Sequence, residues 1–107
     1  MLARYPLQIA IEARWKTHDG KWSRCSGTTR DMSVKGVFIV ATSCPPVGAL
    51  VRIHGVLRSN SPQGEVWLRG VGQVQRIEDL GTSGFGFAVV ASTQFRVRRG
   101  LKAAVLQ

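Results

Sequence analysis

The sequence predicts an all-β fold: a six-stranded antiparallel β-barrel with a short C-terminal α-helix, formed by residues 1–107 as a single domain. Three observations carry that prediction. Short stretches alternate apolar and polar residues with a period of two, as half-buried strands do. Clusters of Gly, Pro, Asn and Asp separate those stretches at short intervals. No helical period appears before Ser92. Closing such strands into a barrel removes the exposed edges that would otherwise pair with other chains.

Each element follows from its residues. Leu7, Ile9, Ile11, Ala13 and Trp15 point one way while Gln8, Glu12, Arg14 and Lys16 point the other, which places a first strand over 6–16. His18-Asp19-Gly20-Lys21 follows, and Asp-Gly between two strand-like runs signals a hairpin. A second strand is expected over 22–29, and Gly36 to Ala41 forms a third, too apolar to face water on either side. Cys44-Pro45-Pro46-Val47-Gly48 is a turn, because prolines cannot donate to a ladder. Leu50 to Leu57 makes the fourth strand, and Arg58 to Gly64 a polar loop. The fifth strand runs from Glu65 to Ile77, with Gly70 and Gly72 suggesting a bulge or bend. Gly81-Thr82-Ser83-Gly84 turns into the sixth, Phe85 to Ala91. Beyond it, Phe95, Val97, Leu101, Ala104 and Val105 can line one side of a helix over 92–104, although Gly100 weakens it by about 1 kcal/mol relative to alanine. The three tryptophans, Trp15, Trp22 and Trp67, are expected to fill the barrel or its ends.

Composition bounds the function. Hydrophobic residues make up 44% of the chain, enough for an ordinary core. Fifteen Lys and Arg against six Asp and Glu give a formal charge of +9, which calls for an anionic partner without saying which. No apolar run approaches the ~20 residues of a membrane helix, and the N-terminal residues lack a secretory core. Two cysteines, Cys25 and Cys44, read as free thiols in a reducing cytosol, so a cytoplasmic location is expected.

Enzyme chemistry finds little to work with. Neither His18 nor His54 has the spacing to a cysteine that zinc requires, and there is no Cys-x-x-Cys. Glu78-Asp79 reads as a solvated acidic pair before a turn. No Gly-x-Ser-x-Gly elbow or phosphate-binding loop opens a helix. The expectation is therefore no catalytic residue, no metal and no cofactor.

One segment carries a mechanism: Arg30-Asp31-Met32-Ser33-Val34-Lys35-Gly36, between strands two and three. Asp31 and Ser33 can simply shape a turn by bonding nearby backbone. They can also hold a ligand. An ionised carboxylate accepts two hydrogen bonds, and guanine presents two adjacent donors, N1–H and the N2 amino group. Ser33 can donate to a phosphate or base acceptor. Gly36 permits a positive φ and a close ligand approach. Arg4 and Arg30 offer planar forks for phosphate or a purine face.

Asp31-Met32-Ser33-Val34-Lys35-Gly36 resembles the Asp/Asn-x-Ser-x-x-Gly motif of PilZ domains, bacterial receptors for cyclic di-GMP. Arg4-Tyr5-Pro6-Leu7 looks like the second arginine of that family's Arg-x-x-x-Arg motif running into the first strand, and residues 5–30 form the intervening spacer. Gly72-Gln73-Val74-Gln75-Arg76 and Gly84-Phe85-Gly86-Phe87 resemble its fifth and sixth strands, so the likeness spans nearly the whole chain. It implies a receptor module that relays cyclic di-GMP to a partner protein in motility, adhesion or biofilm control. Arg4, Arg30, Asp31, Ser33, Gly36 and Arg76 are its candidate ligand-binding residues, with Arg76 set near a guanine. The family's first arginine would stand ahead of Met1, and losing one such contact costs about 1.5–3 kcal/mol, or about 10–100-fold in affinity. Three readings stay open: a longer natural chain, weaker binding with Arg30 or Lys35 substituting, or a divergent PilZ-like interaction module without nucleotide, for example in type IV pilus assembly. The protein partner implied is acidic. Nucleic acid is not expected, because outward-facing aromatics for stacking bases are few.

Overall fold

The structure is a computed structural model that describes residues 8–58 and 65–100. Among these residues the chain forms seven strands, β1 (Ala10–Lys16), β2 (Trp22–Met32), β3 (Gly36–Ala41), β4 (Leu50–Arg58), β5 (Glu65–Asp79), β6 (Phe85–Ala91) and β7 (Arg96–Gly100), with one 3₁₀ turn at Gly81–Ser83. Six of them close a ring in the order β4-β1-β2-β3-β6-β5, shut by antiparallel pairing of β4 with β5 from Leu50↔Gln73 to Arg58↔Glu65. The fold is thus an all-β, closed, six-stranded antiparallel barrel. No helix among the described residues is long and apolar enough to cross a membrane.

The interior follows the period of two. Ile11, Ala13 and Trp15 of β1 point inward with Val51 and Ile53 of β4, and Phe87 and Val89 of β6 complete the far wall. Each such aliphatic or aromatic side chain contributes about 1.5–3 kcal/mol by leaving water. The one buried polar side chain among the described residues, Thr29, is paired: its Oγ1 accepts from the Ile9 N–H at 2.8 Å, and its own N–H donates to the Ile9 carbonyl at 3.0 Å. At the hairpin between β1 and β2, Gly20 takes φ +83°, a backbone that suits glycine and not its neighbours. Cys25 is buried and Cys44 half-buried, both as free thiols. Burial raises both thiols, Cys25 to about 11.

Four expectations need correction. The predicted helix over 92–104 is not formed in its described part: Arg96–Gly100 is a strand, and 101–104 lie outside the described residues. The reason lies in β5. Its Gly72–Asp79 half pairs with β6, while Glu65–Arg69 extends past β6 along the same edge; β7 covers that remaining edge, from Glu65↔Gly100 to Arg69↔Arg96. Second, β2 continues to Met32, so Arg30 and Asp31 stand on a strand. Third, the bulge in β5 falls between Val74 and Arg76, not at Gly70 or Gly72. Gly70 instead makes room for Phe95, whose ring a Cβ there would meet at 2.3 Å. Fourth, only Trp15 fills the barrel, at 7% exposed; Trp22 and Trp67 are 49% and 36% exposed.

Candidate functional site

Two β-bulges build the site. In β2, Thr29 pairs with Ile39 and Asp31 with Phe38, so Arg30 is an extra residue. In β5, Val74 pairs with Val89 and Arg76 with Ala88, so Gln75 is extra. Each insertion shifts the alternation by one. Thr29 and Met32 both enter the core, and the two residues between them, Arg30 and Asp31, are left on the outside. Val74 and Ile77 likewise pack on the core, with Gln75 and Arg76 outside.

The bulges bring four side chains into one lateral row across the outer wall: Asp31 of β2, Phe38 of β3, Ala88 of β6 and Arg76 of β5. Phe38 is the centre of that row. It is buried, yet it stands apart from the barrel core. Its ring lies over Gly86, where an added Cβ would meet Cζ at 2.3 Å. The Arg30 guanidinium carbon sits 4.0 Å from the ring centroid and that of Arg76 sits 5.6 Å away. Stacking on an aromatic face holds a guanidinium in a fixed plane with its N–H groups directed outward from the edge.

The row opens into a concavity of about 280 Å³. Five of the six sequence-predicted residues line it: Arg30, Asp31, Ser33, Gly36 and Arg76. The sixth, Arg4, lies outside the described residues. Lys35 is exposed and does not line the concavity.

Local pairs hold these groups in place. Arg30 Nε is 3.7 Å from Asp31 Oδ2, and Arg76 Nη2 is 3.3 Å from Glu78 Oε2. Both pairs are substantially exposed, so exchanging either for a ligand costs at most about 1 kcal/mol. The Ser33 N–H donates to the Gly36 carbonyl at 2.8 Å, and Ser33 Oγ accepts from the Lys35 N–H at 3.2 Å. Accepting that bond leaves the hydroxyl proton unspent, so Ser33 shapes the turn and retains a donor. The turn is also strapped from outside: the Val34 carbonyl accepts from the Phe95 N–H at 2.7 Å and the Lys35 carbonyl from the Ala91 N–H at 2.8 Å.

Gly36 does not use a positive φ; the positive-φ glycines among the described residues are Gly20, Gly48, Gly81 and Gly84. It is a strand residue opposite Val90, and a Cβ there would press on the Val89 carbonyl at 3.3 Å. Its contribution is an unfilled wall. Sequence reasoning missed Phe38 as the platform. The signal was present: Val37 and Ile39 point inward, so the residue between them points out, and an outward phenylalanine beside outward arginines is a stacking surface.

Chemically, the concavity presents one carboxylate, one hydroxyl and two stacked guanidinium forks around an aromatic floor. That set complements a ligand with adjacent N–H donors, a planar ring and negative charge. Neither a scan against protein-family models nor a search of curated proteins finds a match to this chain.

Proposed function

We propose that the protein is a non-enzymatic receptor for a guanine nucleotide, cyclic di-GMP, and relays its occupancy to a partner protein. The observation that carries this reading is the lateral row Asp31–Phe38–Ala88–Arg76, with Arg30 stacked on Phe38 beside it. Asp31 accepts from guanine N1–H and N2, a bidentate, charge-assisted pair that adenine cannot form. Arg30 and Arg76 take phosphate or the O6 and N7 edge. Ser33 donates to a ligand oxygen, and the bare Gly36 wall admits the ring. The resemblance to PilZ domains supports the same assignment and adds Arg4 as a further phosphate or guanine ligand. The concavity, about 280 Å³, lies just below the ~300–1,000 Å³ range of ligand sites, room for part of a dinucleotide.

Calorimetry with cyclic di-GMP, and with cyclic di-AMP as the control, tests the reading. Cyclic di-GMP should bind and cyclic di-AMP should not. Asp31→Ala should weaken binding by about 10–100-fold while leaving the fold intact. Equal affinity of wild type and Asp31→Ala removes the site assignment.

A rival reading draws on the local pairs. Arg30 with Asp31, Arg76 with Glu78 and the Ser33 turn are also what a PilZ-like interaction module without nucleotide would need. It predicts no heat with any cyclic dinucleotide and capture of an acidic protein.

A further inference from the structure

We propose that the opposite wall of the barrel, the outer face of β2, β1, β4 and β5, binds single-stranded nucleic acid. This site uses none of the residues of the concavity above and stands independently of the reading given to it.

The register stacks like charges side by side. Arg14 pairs with Arg24 on one neighbouring strand and with Arg52 on the other, so three arginines stand in one row on strands about 4.8 Å apart. Like charges directly opposite one another destabilise a sheet. Glu12 is the carboxylate set against them, 3.9 Å from Arg14 Nε and 3.7 Å from Arg24 Nη1. The next row carries Glu12, His54, Arg69 and Arg96. Between the rows lies a second concavity of about 410 Å³, lined by Arg14, Arg52, His54 and Arg69 together with the Glu12 carboxylate and the apolar Ile53 and Val71. Among the described residues these rows set one carboxylate, Glu12, against Arg14, Arg24, Arg52, Arg69 and Arg96, an excess of cations that fits a polyanion.

An exposed aromatic selects which polyanion. Trp22 pairs with Lys16 on the outer side of the β1–β2 hairpin, and half of its surface meets solvent. The guanidinium carbons of Arg14 and Arg52 and the Lys16 Nζ each stand 5.6 Å from its ring centroid. An acidic peptide is satisfied by the cations alone and has no use for a bare indole among them. A single strand alternates anionic phosphate with a flat base, and an indole ringed by cations meets both at once. Trp67, partly exposed on the same wall, offers a second ring. The shortage of outward aromatics, which argued against nucleic acid from sequence, does not hold once Trp22 and Trp67 are found outside.

Fluorescence anisotropy with a labelled oligothymidine of about 15 nucleotides tests this, read from about 50 to about 200 mM salt. The expected result is binding that weakens at least about tenfold over that range, with quenching of tryptophan emission. Trp22→Ala should lose about tenfold or more in affinity, Trp22→Phe should retain most of it, and Arg14→Glu with Arg52→Glu should abolish it. Circular dichroism verifies that each variant is folded. Affinity indifferent to Trp22→Ala overturns the proposal. So does polyglutamate that binds as tightly as the oligonucleotide, which would point to an acidic protein, or binding confined to vesicles containing phosphatidylglycerol, which would point to a lipid surface.

Discussion

The two walls of this barrel use one ladder in opposite ways. On the β3–β6 side two bulges break the register, place extra residues outside, and gather Arg30, Asp31 and Arg76 around a covered phenylalanine. On the β1–β4 side the register is unbroken, cations line up strand by strand, and the aromatic, Trp22, stays half in water. A broken ladder encloses; an intact one displays. The first arrangement suits a small ligand with its own donor pattern, the second a long ligand read by charge and stacking.

The sharpest way to break this contrast is to remove each aromatic in turn. Phe38→Ala should cost about 3–5 kcal/mol in chemical denaturation, because a buried ring leaves a hole under Arg30. Trp22→Ala should cost less than about 1 kcal/mol, since little packing is lost at an exposed position. Similar losses at both would erase the distinction between covered and displayed. Next in size is Gly86→Ala. Its methyl group would occupy the place of the Phe38 ring and lift both guanidinium groups, so about 1–3 kcal/mol of stability should go together with cyclic di-GMP binding. Retained binding would show that the ring is not the floor of the site. The smallest effect belongs to Glu12→Gln. Losing the counter-charge to Arg14 and Arg24 should cost about 0.2–1 kcal/mol at low salt and shrink as salt screens the row. The same change should tighten oligonucleotide binding, and a weaker grip would contradict a phosphate-driven face.

The strand framework was legible because most of it obeys local rules. The alternation through β1, the Asp19-Gly20 turn and the apolar β3 each announce themselves within a few residues. Failures came where a neighbour decided. The expected second strand ended at Thr29, whereas β2 continues through the bulge at Arg30 to Met32, and it is that interruption of the ladder that carries the site. Arg96 to Gly100 has spacing that fits a helix as well as a strand; the open edge of β5, thirty residues earlier in the chain, settles it. Trp22 was readable in principle, since Trp15 points inward and the hairpin register sets Trp22 across from Lys16. Composition alone cannot supply that register. For the site, Asp31, Ser33, Gly36, Arg30 and Arg76 were named from their chemistry and their likeness to a family pattern, and the fold lines them around one concavity. The positive φ at Gly36 was the wrong reason for a glycine there.

The turn bearing Ser33 is tied at Val34 and Lys35 to the backbone of Phe95 and Ala91, immediately before β7 leaves for the edge of β5. Phe95 is in turn wedged against Gly70. Whatever presses on that turn therefore strains the same two amide links that lead into β7, so two hydrogen bonds and one ring join the bulged wall to the strand that covers the β5 edge.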